Sequence, residues 1–232
     1  MITVYTIAYN EEIMLPFMIK WYRERFPDCK IVVYDNYSTD KTEKIALSAE
    51  CQVIKYDSGN QIRDDLYLEI KNNCWKNAET DWVVICDVDE LINITSLDLK
   101  DEKSSIIKFN GWNMVNNLNS GKLEDMKYGY RAEQYDKFYL FNKSMVTEIN
   151  YEAGCHKSNP KGNITFSKNI YNCFHFKEIS EDYIVNRYKE FNERLSSKNK
   201  QMNWGIHYSK IETEIRNDFR ITQVHEHLKK LI

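Results

Sequence analysis

The run Trp82-Val83-Val84-Ile85-Cys86-Asp87-Val88-Asp89-Glu90 ends a short apolar segment in two carboxylates one residue apart. The segment is too short and too uniformly apolar for an amphipathic helix, so it reads as a buried strand. In extended backbone, residues two apart point the same way, so Asp87 and Asp89 are expected to face one small volume. Two like charges held that close resist joint ionisation unless a cation lies between them. Hard oxygen ligands select magnesium or manganese, ions that commonly bridge a few carboxylates to substrate phosphates. A strand ending in a solvated acidic turn has the same short signature, so the elements around the motif decide its meaning.

Those elements repeat one rhythm. Residues 2–8 are apolar and β-branched, a strand by composition. Residues 11–26 place Ile13, Phe17, Met18, Trp21 and Tyr22 at helical spacing, with Pro16 early enough to be tolerated. A second strand is predicted over 30–34 and runs into Asp35-Asn36-Tyr37-Ser38-Thr39-Asp40, a dense turn signal. Asp40 with Glu43 three residues on resembles an N-cap arrangement and opens a helix to about residue 50. Strands over 52–56 and 82–86 then flank a helix over 63–77. Alternation of this kind predicts an α/β fold with a parallel sheet and right-handed crossovers. Ligands of such sheets bind at the carboxyl ends of the strands, where Asn10, Asp35, Asp57 and Asp87 all fall. No G-x-G-x-x-G follows the first strand and no Walker A loop occurs. With only 7 glycines in 232 residues, phosphates would be held by metal and side chains rather than by a glycine cradle.

The second half is less regular. Residues 104–109 read as a strand, and 111–135 as a long polar connection containing Gly111, Gly121 and Gly129. Strands are expected over 137–141 and 145–151 around an Asn142-Lys143-Ser144 turn, then a loop over 154–162 and a strand over 170–176. Ser180, followed by Glu181 and Asp182, opens a helix to about residue 196. A last helix is expected from Ser209, with Glu212 three on as a capping box, carrying Ile211, Ile215, Phe219 and Leu228. His225 and His227 would lie near its C-terminus, where the helix dipole accounts for them, and His207 reads as structural.

Composition narrows the class. A hydrophobic share of 42% with 29% charged residues is that of a globular chain with a full core. A net charge of −3, with lysines scattered among acids, gives no footprint for nucleic acid. The 16 tyrosines serve core packing or stacking on a sugar or base. Met1 runs straight into the first strand without a basic leader or a long apolar stretch, so no transmembrane segment is read and a cytoplasmic location is expected. The six cysteines form no C-x-x-C pair; Cys155-His156 with Cys173 and His175 lacks the usual spacing of a zinc site.

Three segments together resemble the successive motifs of family 2-like glycosyltransferases of the GT-A fold: Thr6-Ile7-Ala8-Tyr9-Asn10-Glu11-Glu12, Tyr34 to Thr42, and Cys86-Asp87-Val88-Asp89-Glu90. Lys71-Asn72-Asn73-Cys74-Trp75, Gly154-Cys155-His156, His175-Phe176-Lys177, Arg187-Tyr188 and Trp204-Gly205 resemble later elements of a subgroup. The resemblance implies one GT-A domain over 1–232, with a mostly parallel central sheet flanked by helices. Residues 1–90 would bind the nucleotide sugar, 91–178 form the acceptor side, and 179–232 supply C-terminal helices. It implies transfer of a sugar from a nucleotide-diphosphate donor, UDP expected, to a glycan or other acceptor, with manganese or magnesium held by Asp87 and Asp89.

Individual roles follow from that resemblance. His175 matches a late histidine that completes the metal site, and Lys177 would neutralise the diphosphate leaving group. Asp35 would accept from a uracil ring nitrogen, with Ala8 and Asn10 beside base and ribose. Lys71 matches a basic position reaching the phosphates, and Asp64-Asp65 would contact ribose or cap a helix. An inverting enzyme also needs a base for the acceptor hydroxyl. Asp136 and Glu152 are the carboxylate candidates, and His156 is a rival for the metal or for the acceptor. A sugar nucleotidyltransferase and a catalytically inactive GT-A binding module remain alternatives. The former usually shows a glycine- and basic-rich first loop, which Tyr9-Asn10-Glu11-Glu12 is not.

Overall fold

The computed structural model describes residues 1–116 and 120–232. Its first part follows the alternation: β1 (Ile2–Ala8), α1 (Met14–Arg25), β2 (Lys30–Asp35), α2 (Thr42–Ser48), β3 (Gln52–Lys55), α3 (Asp64–Asn73) and β4 (Trp82–Ile85). There follow β5 (Glu90–Asn93), α4 (Ser96–Leu99), β6 (Ile106–Val115), β7 (Tyr128–Arg131), β8 (Leu140–Asn142), β9 (Val146–Glu148), β10 (Lys161–Gly162) and β11 (Phe166–Glu178). The C-terminal part comprises α5 (Glu181–Arg194), α6 (Ser197–Gln201), α7 (Glu212–Gln223) and β12 (Lys229–Lys230).

β3, β2, β1 and β4 lie side by side and parallel. The chain steps from β1 to β2 to β3 in one direction and then returns to place β4 on the other flank of β1. The crevice outside the carboxyl ends of β1 and β4 is therefore a topological switch point, where open α/β sheets bind ligands. Beyond β4 the sheet becomes mixed: β8 runs antiparallel to β4, and β7 antiparallel to β6. β11 runs parallel to β6 and antiparallel to β5.

Both faces of the sheet are covered. On one, α1 sets the Trp21 indole edge-on to Phe174 and Phe176, at centroid distances of 5.9 and 6.1 Å. The indole N–H donates to the Ile92 carbonyl at 2.9 Å, so the large ring leaves no polar group orphaned. On the other face Trp75 meets Phe141 edge-on at 5.0 Å. Side chains of this size, fully buried, each stabilise the fold by about 1.5–3 kcal/mol.

Several expected boundaries move. β6 continues through Gly111 to Val115, and β7 follows, so much of the stretch read as a polar connection is sheet; its residues 117–119 lie outside the described residues. Gly111 permits this, because a Cβ there would sit 2.3 Å from the Tyr135 Cβ and 2.7 Å from the Ala132 carbonyl oxygen. The strands around Asn142 do not pair with each other: β8 joins β4, and β9 joins β10. The last helix opens at Glu212 rather than Ser209, because the carboxylate that closes its first turn is Glu214, which accepts from Ile211 N–H at 3.0 Å. It ends at Gln223, so His225 and His227 follow it, and His225 stacks on Tyr130 at 4.5 Å. Asp40 precedes the cap of α2; its two oxygens accept from Thr42 N–H and Glu12 N–H, tying that helix to the β1 loop. Among the described residues no helix is long and apolar enough to cross a membrane, and no two cysteines are bonded.

Candidate active site

A cavity of about 480 Å³ opens at the carboxyl ends of β1 and β4 and runs under α5, within the size range of small-molecule sites. Ala8, Lys71, Asp87, Asp89, His175 and Lys177 line it, and His156 stands at its rim.

The two aspartates reach it from a turn rather than from extended backbone. β4 ends at Ile85, and Glu90 N–H donates to the Asp87 carbonyl at 3.1 Å, closing Asp87-Val88-Asp89-Glu90 on itself. Alternation is lost in the turn, so the carboxylates find separate partners. Asp87 Oδ1 accepts from Lys71 Nζ at 2.6 Å. Burial pushes the Asp87 carboxyl up, but Lys71 and Lys137 outweigh it and hold it below the usual carboxylate range. Asp89 Oδ2 stands 3.4 Å from His175 Nε2. Burial also pushes the Asp89 carboxyl up, and His175, Arg187 and Lys177 together bring it well below its ordinary value.

Strand register makes the Asp89–His175 meeting. β5 begins at Glu90, directly after Asp89, and pairs with β11 so that Glu90 lies opposite His175. The Asp89 carbonyl accepts from Phe176 N–H at 2.8 Å, locking this register. On the other side of β11, Asn113 of β6 is the partner of His175. Asn113 Oδ1 lies 2.7 Å from His175 Nδ1, and an amide oxygen there can only accept. A proton therefore sits on Nδ1, and Nε2 is the ring nitrogen that faces Asp89. Tyr135 stacks on the ring at 4.0 Å and fixes its plane.

Beneath the turn, Glu90 and Lys137 form a buried ion pair, Nζ to Oε1 2.5 Å, with side chains 3% and 4% exposed. The second carboxylate oxygen of Glu90 faces the Asp87 N–H at 3.4 Å. Across the cleft, Arg187 binds the Glu11 carboxylate and the Asn10 carbonyl, joining α5 to the β1 loop. Burial raises the Glu11 carboxyl to about 7 against the opposing pull of Arg187.

Other expected residues stand elsewhere. Asp35 is fully buried, its carboxylate held by Lys55 and by the Ser38 hydroxyl at 2.5 Å, and it is not among the residues lining the cavity. The reason is register: Asp35 and Lys55 are paired positions on β2 and β3. Asn10 turns away, its amide oxygen accepting from Thr39 N–H at 2.8 Å. Asp65 is held by Arg63 and Lys198, whereas Asp64 does line the cavity, its Oδ2 accepting from Asn199 at 2.9 Å. Asp136 is bound to Arg131 and to Gly111 N–H. Glu152 is exposed and outside the cavity lining. His156 is brought to the rim, its Nδ1 2.6 Å from the Gln134 carbonyl, and burial with nearby Lys137 pushes its imidazole pKa down.

Asn113, Tyr135 and Lys137, which hold the site in place, carry no motif of their own, and Glu90 ends the Cys86–Glu90 motif without a role having been read for it. Arg194, Tyr9 and Tyr67 line the cleft as well; of these only Tyr9 falls inside a recognisable motif.

Among the described residues no three carboxylate, imidazole or thiol groups stand together in metal-ligand geometry. Asp89 and His175 fit a divalent cation as a pair: adjacent ligands of an octahedral ion at about 2.1 Å lie roughly 3 Å apart. Magnesium and manganese take one or two carboxylates and complete their shells with water and substrate phosphate, a donor set this pair matches.

The sheet order, the helices on both faces and a polar cleft at the switch point define an open, mostly parallel α/β fold with its site at the strands' carboxyl ends. Residues 3–98 match the family model described as "Glycosyl transferase family 2". No curated protein matches the chain. Similar solved structures include S. aureus TarS, at 15% identity over 97% of this chain and 44% of that one, TM-score 0.47. TarS 1–349 in complex with UDP-GlcNAc is 15% identical over 97% and 73%, TM-score 0.49. Glucosyl-3-phosphoglycerate synthase from M. tuberculosis in complex with Mn2+, UDP and phosphoglyceric acid is 16% identical over 67% and 61%, TM-score 0.41. The present chain thus spans less than half of the first of these.

Proposed function

We propose that the protein is a metal-dependent glycosyltransferase that moves a sugar from a nucleotide-diphosphate donor, UDP being expected, to a glycan or other acceptor. The observation that carries this reading is the Asp89–His175 pair, with Asn113 engaging the histidine Nδ1 so that Nε2 is the nitrogen turned to Asp89 and the cleft. Manganese or magnesium on Asp89 and His175 would act as a Lewis acid on the leaving diphosphate. Asp87 would be the further ligand in this reading, and its Lys71 partner offsets its charge in the metal-free cleft.

The chain's own cations supply the rest. Lys177, whose Nζ is held by the Tyr188 hydroxyl at 2.8 Å, and Lys71 flank the acidic turn and can take up charge that develops on phosphate oxygens. His156 is the base candidate that faces the cleft. Its Nδ1 proton is engaged by a carbonyl, its lowered pKa keeps it neutral near pH 7, and Nε2 is left to accept the acceptor hydroxyl proton. The domain division follows from this: residues 1–90 bind the donor, 91–178 shape the acceptor side, and the C-terminal helices roof the cleft.

The test is a panel of nucleotide sugars, with and without manganese, read out as free nucleotide diphosphate. Manganese-dependent release from a UDP-sugar is the expected result. A chain that releases no nucleotide from any donor, and binds none, is not a glycosyltransferase.

A further inference from the structure

Five carboxylates line the cleft, and four of them face a partner: Glu11 an arginine, Asp87 and Glu90 a lysine each, Asp89 an imidazole. The fifth, Asp64, faces no cation among the described residues. It opens α3, half-buried, with Leu68 and Lys71 on the same helix face, and all three line the cavity. Ile62 N–H donates to the Arg194 carbonyl at 2.7 Å, and Ser196 N–H to the Ile62 carbonyl at 3.3 Å, so the loop before α3 is stitched to the chain leading into α6. That stitch brings Asn199 of α6, fully buried, against Asp64. Asn199 Nδ2 donates to Asp64 Oδ2 at 2.9 Å, and its Oδ1 accepts from Asp64 N–H at 3.1 Å and from the Ser196 hydroxyl at 3.0 Å. The Asn199 carbonyl accepts from Trp204 N–H at 2.9 Å. The backbone is left-handed on either side of Trp204, φ 56° at Asn203 and 70° at Gly205, in a turn that lines the cavity. Asp64 Oδ1 and Trp204 Nε1 have no hydrogen-bond partner among the described residues, and neither atom is closed off by protein. One buried asparagine thus brackets a free acceptor and a free donor in the cavity wall.

We infer that Asp64 and Trp204 seat a sugar ring of the donor, with Asp64 Oδ1 accepting its hydroxyl protons, an assignment that rests on the nucleotide-sugar reading of the same cleft. A carboxylate is an acceptor only and repels phosphate, so the ligand part before it must be neutral and carry donors. Neighbouring hydroxyls are such donors, and they can accept from the indole N–H in turn. The C–H face of a sugar ring also suits the electron-rich face of an indole. Asp64 stands two helical turns, about 10 Å of rise, from Lys71. Lys71 and Asp87 are still the charges that act most on its carboxyl. The ring it meets therefore adjoins the diphosphate, which has the ribose on one side and the transferred sugar on the other. Because Asn199 already fixes the carboxylate, little further freedom is lost when a hydroxyl arrives.

Calorimetry in manganese with UDP, 2′,3′-dideoxy-UDP, UDP-glucose and UDP-N-acetylglucosamine tests this on the wild-type chain, Asp64→Asn and Trp204→Leu. Asp64→Asn keeps the shape and the bond from Asn199, and turns only the free acceptor into a donor. If the ring is the ribose, Asp64→Asn loses about ten- to a hundredfold in UDP affinity, the range for a hydrogen bond to a charged group, while dideoxy-UDP binds variant and wild type alike. If the ring is the transferred sugar, UDP binds unchanged and at least one UDP-sugar loses that factor. Trp204→Leu should weaken the same ligand, and a loss confined to Asp64→Asn overturns the shared seat. Equal loss with dideoxy-UDP overturns the inference, because it would lie in the base or the phosphates, and so does unchanged binding of all four ligands. If thermal melting shows Asp64→Asn unfolded, Asp64→Ser decides by the same comparison. A wild-type chain that binds no nucleoside diphosphate overturns the donor reading itself.

Discussion

Replacing Asn113 with leucine tests how the cleft is built, because it leaves both groups proposed to meet the cation, Asp89 and His175, chemically unchanged. The substitution removes the acceptor 2.7 Å from His175 Nδ1. The histidine is 6% exposed, so water cannot replace the lost partner, and an orphaned buried N–H costs about 1–3 kcal/mol. For a chain of this length 1 kcal/mol corresponds to roughly 2–4 °C, giving a fall in melting temperature of about 2–12 °C. Asn113 also donates to the Tyr130 hydroxyl at 3.0 Å, and Tyr130→Phe measures that share separately.

The functional effect has a different cause. Without the amide oxygen, the imidazole proton can move to Nε2, where it occupies the lone pair facing Asp89. Loss of a partner behind a metal-binding histidine typically weakens the ion about 10–100-fold. Manganese titration of the folded variant should show that loss, and Asn113→Asp, which keeps an acceptor at the same place, should recover most of it. An Asn113→Leu chain that melts lower yet binds manganese like the wild type would refute the argument that Asn113 sets the histidine for a cation.

Three further outcomes follow from the same geometry. Asp89→Asn keeps shape but removes the charged oxygen facing His175, and should lower turnover by orders of magnitude without changing the melting temperature downward. Lys137→Met leaves the buried Glu90 carboxylate unpaired and should destabilise by about 3–5 kcal/mol in urea unfolding, with Glu90→Gln in the same chain restoring part of it. Burial raises the Glu178 carboxyl from 4.5 to about 7, against its hydrogen bonds from Thr222 and Gln223 and the charges of Lys177 and His175. The folded chain then holds a proton that the unfolded chain has released, so this stabilisation is complete below about pH 4.5 and is lost as pH rises to about 7, by up to roughly 3 kcal/mol. Melting across that window should fall more steeply for the wild type than for Glu178→Gln, and equal slopes would refute the assignment.

What the sequence made legible is what local pattern controls. The four parallel strands at the switch point were readable from β-branched runs, the helices between them from apolar spacing, and Asp87, Asp89, His175, Lys71 and Lys177 from motif order. The misses have one physical source, contacts between residues distant in sequence. β6 was cut short because Gly111 looks like a loop residue, whereas it is the place where the 132–135 segment presses on a strand. Asp136 looked available as a base until Arg131 and the Gly111 amide claimed both its oxygens. Arg194 lies in a helix with no motif, and only the Ile62 stitch brings it over Tyr9.

Asp35 and Asp89 show how register separates residues that look equivalent. Both are acids just beyond or at the end of an apolar strand, at the ligand-binding edge of the sheet. Asp35 lies beside Lys55 in a parallel pair, and the lysine closes it. Asp89 precedes a strand whose antiparallel partner brings His175 alongside, its Nε2 turned to Asp89 by the Asn113 contact on the next strand. Because side chains alternate along β11, a slip of one residue would turn His175 to the opposite face and present Phe174 or Phe176 in its place. Those two phenylalanines are buried against Trp21, so the slip would expose core aromatics as it removed the histidine. The packing of α1 thereby protects the chemistry of the cleft: the contact that stabilises the sheet also selects the register in which Asp89 and His175 meet.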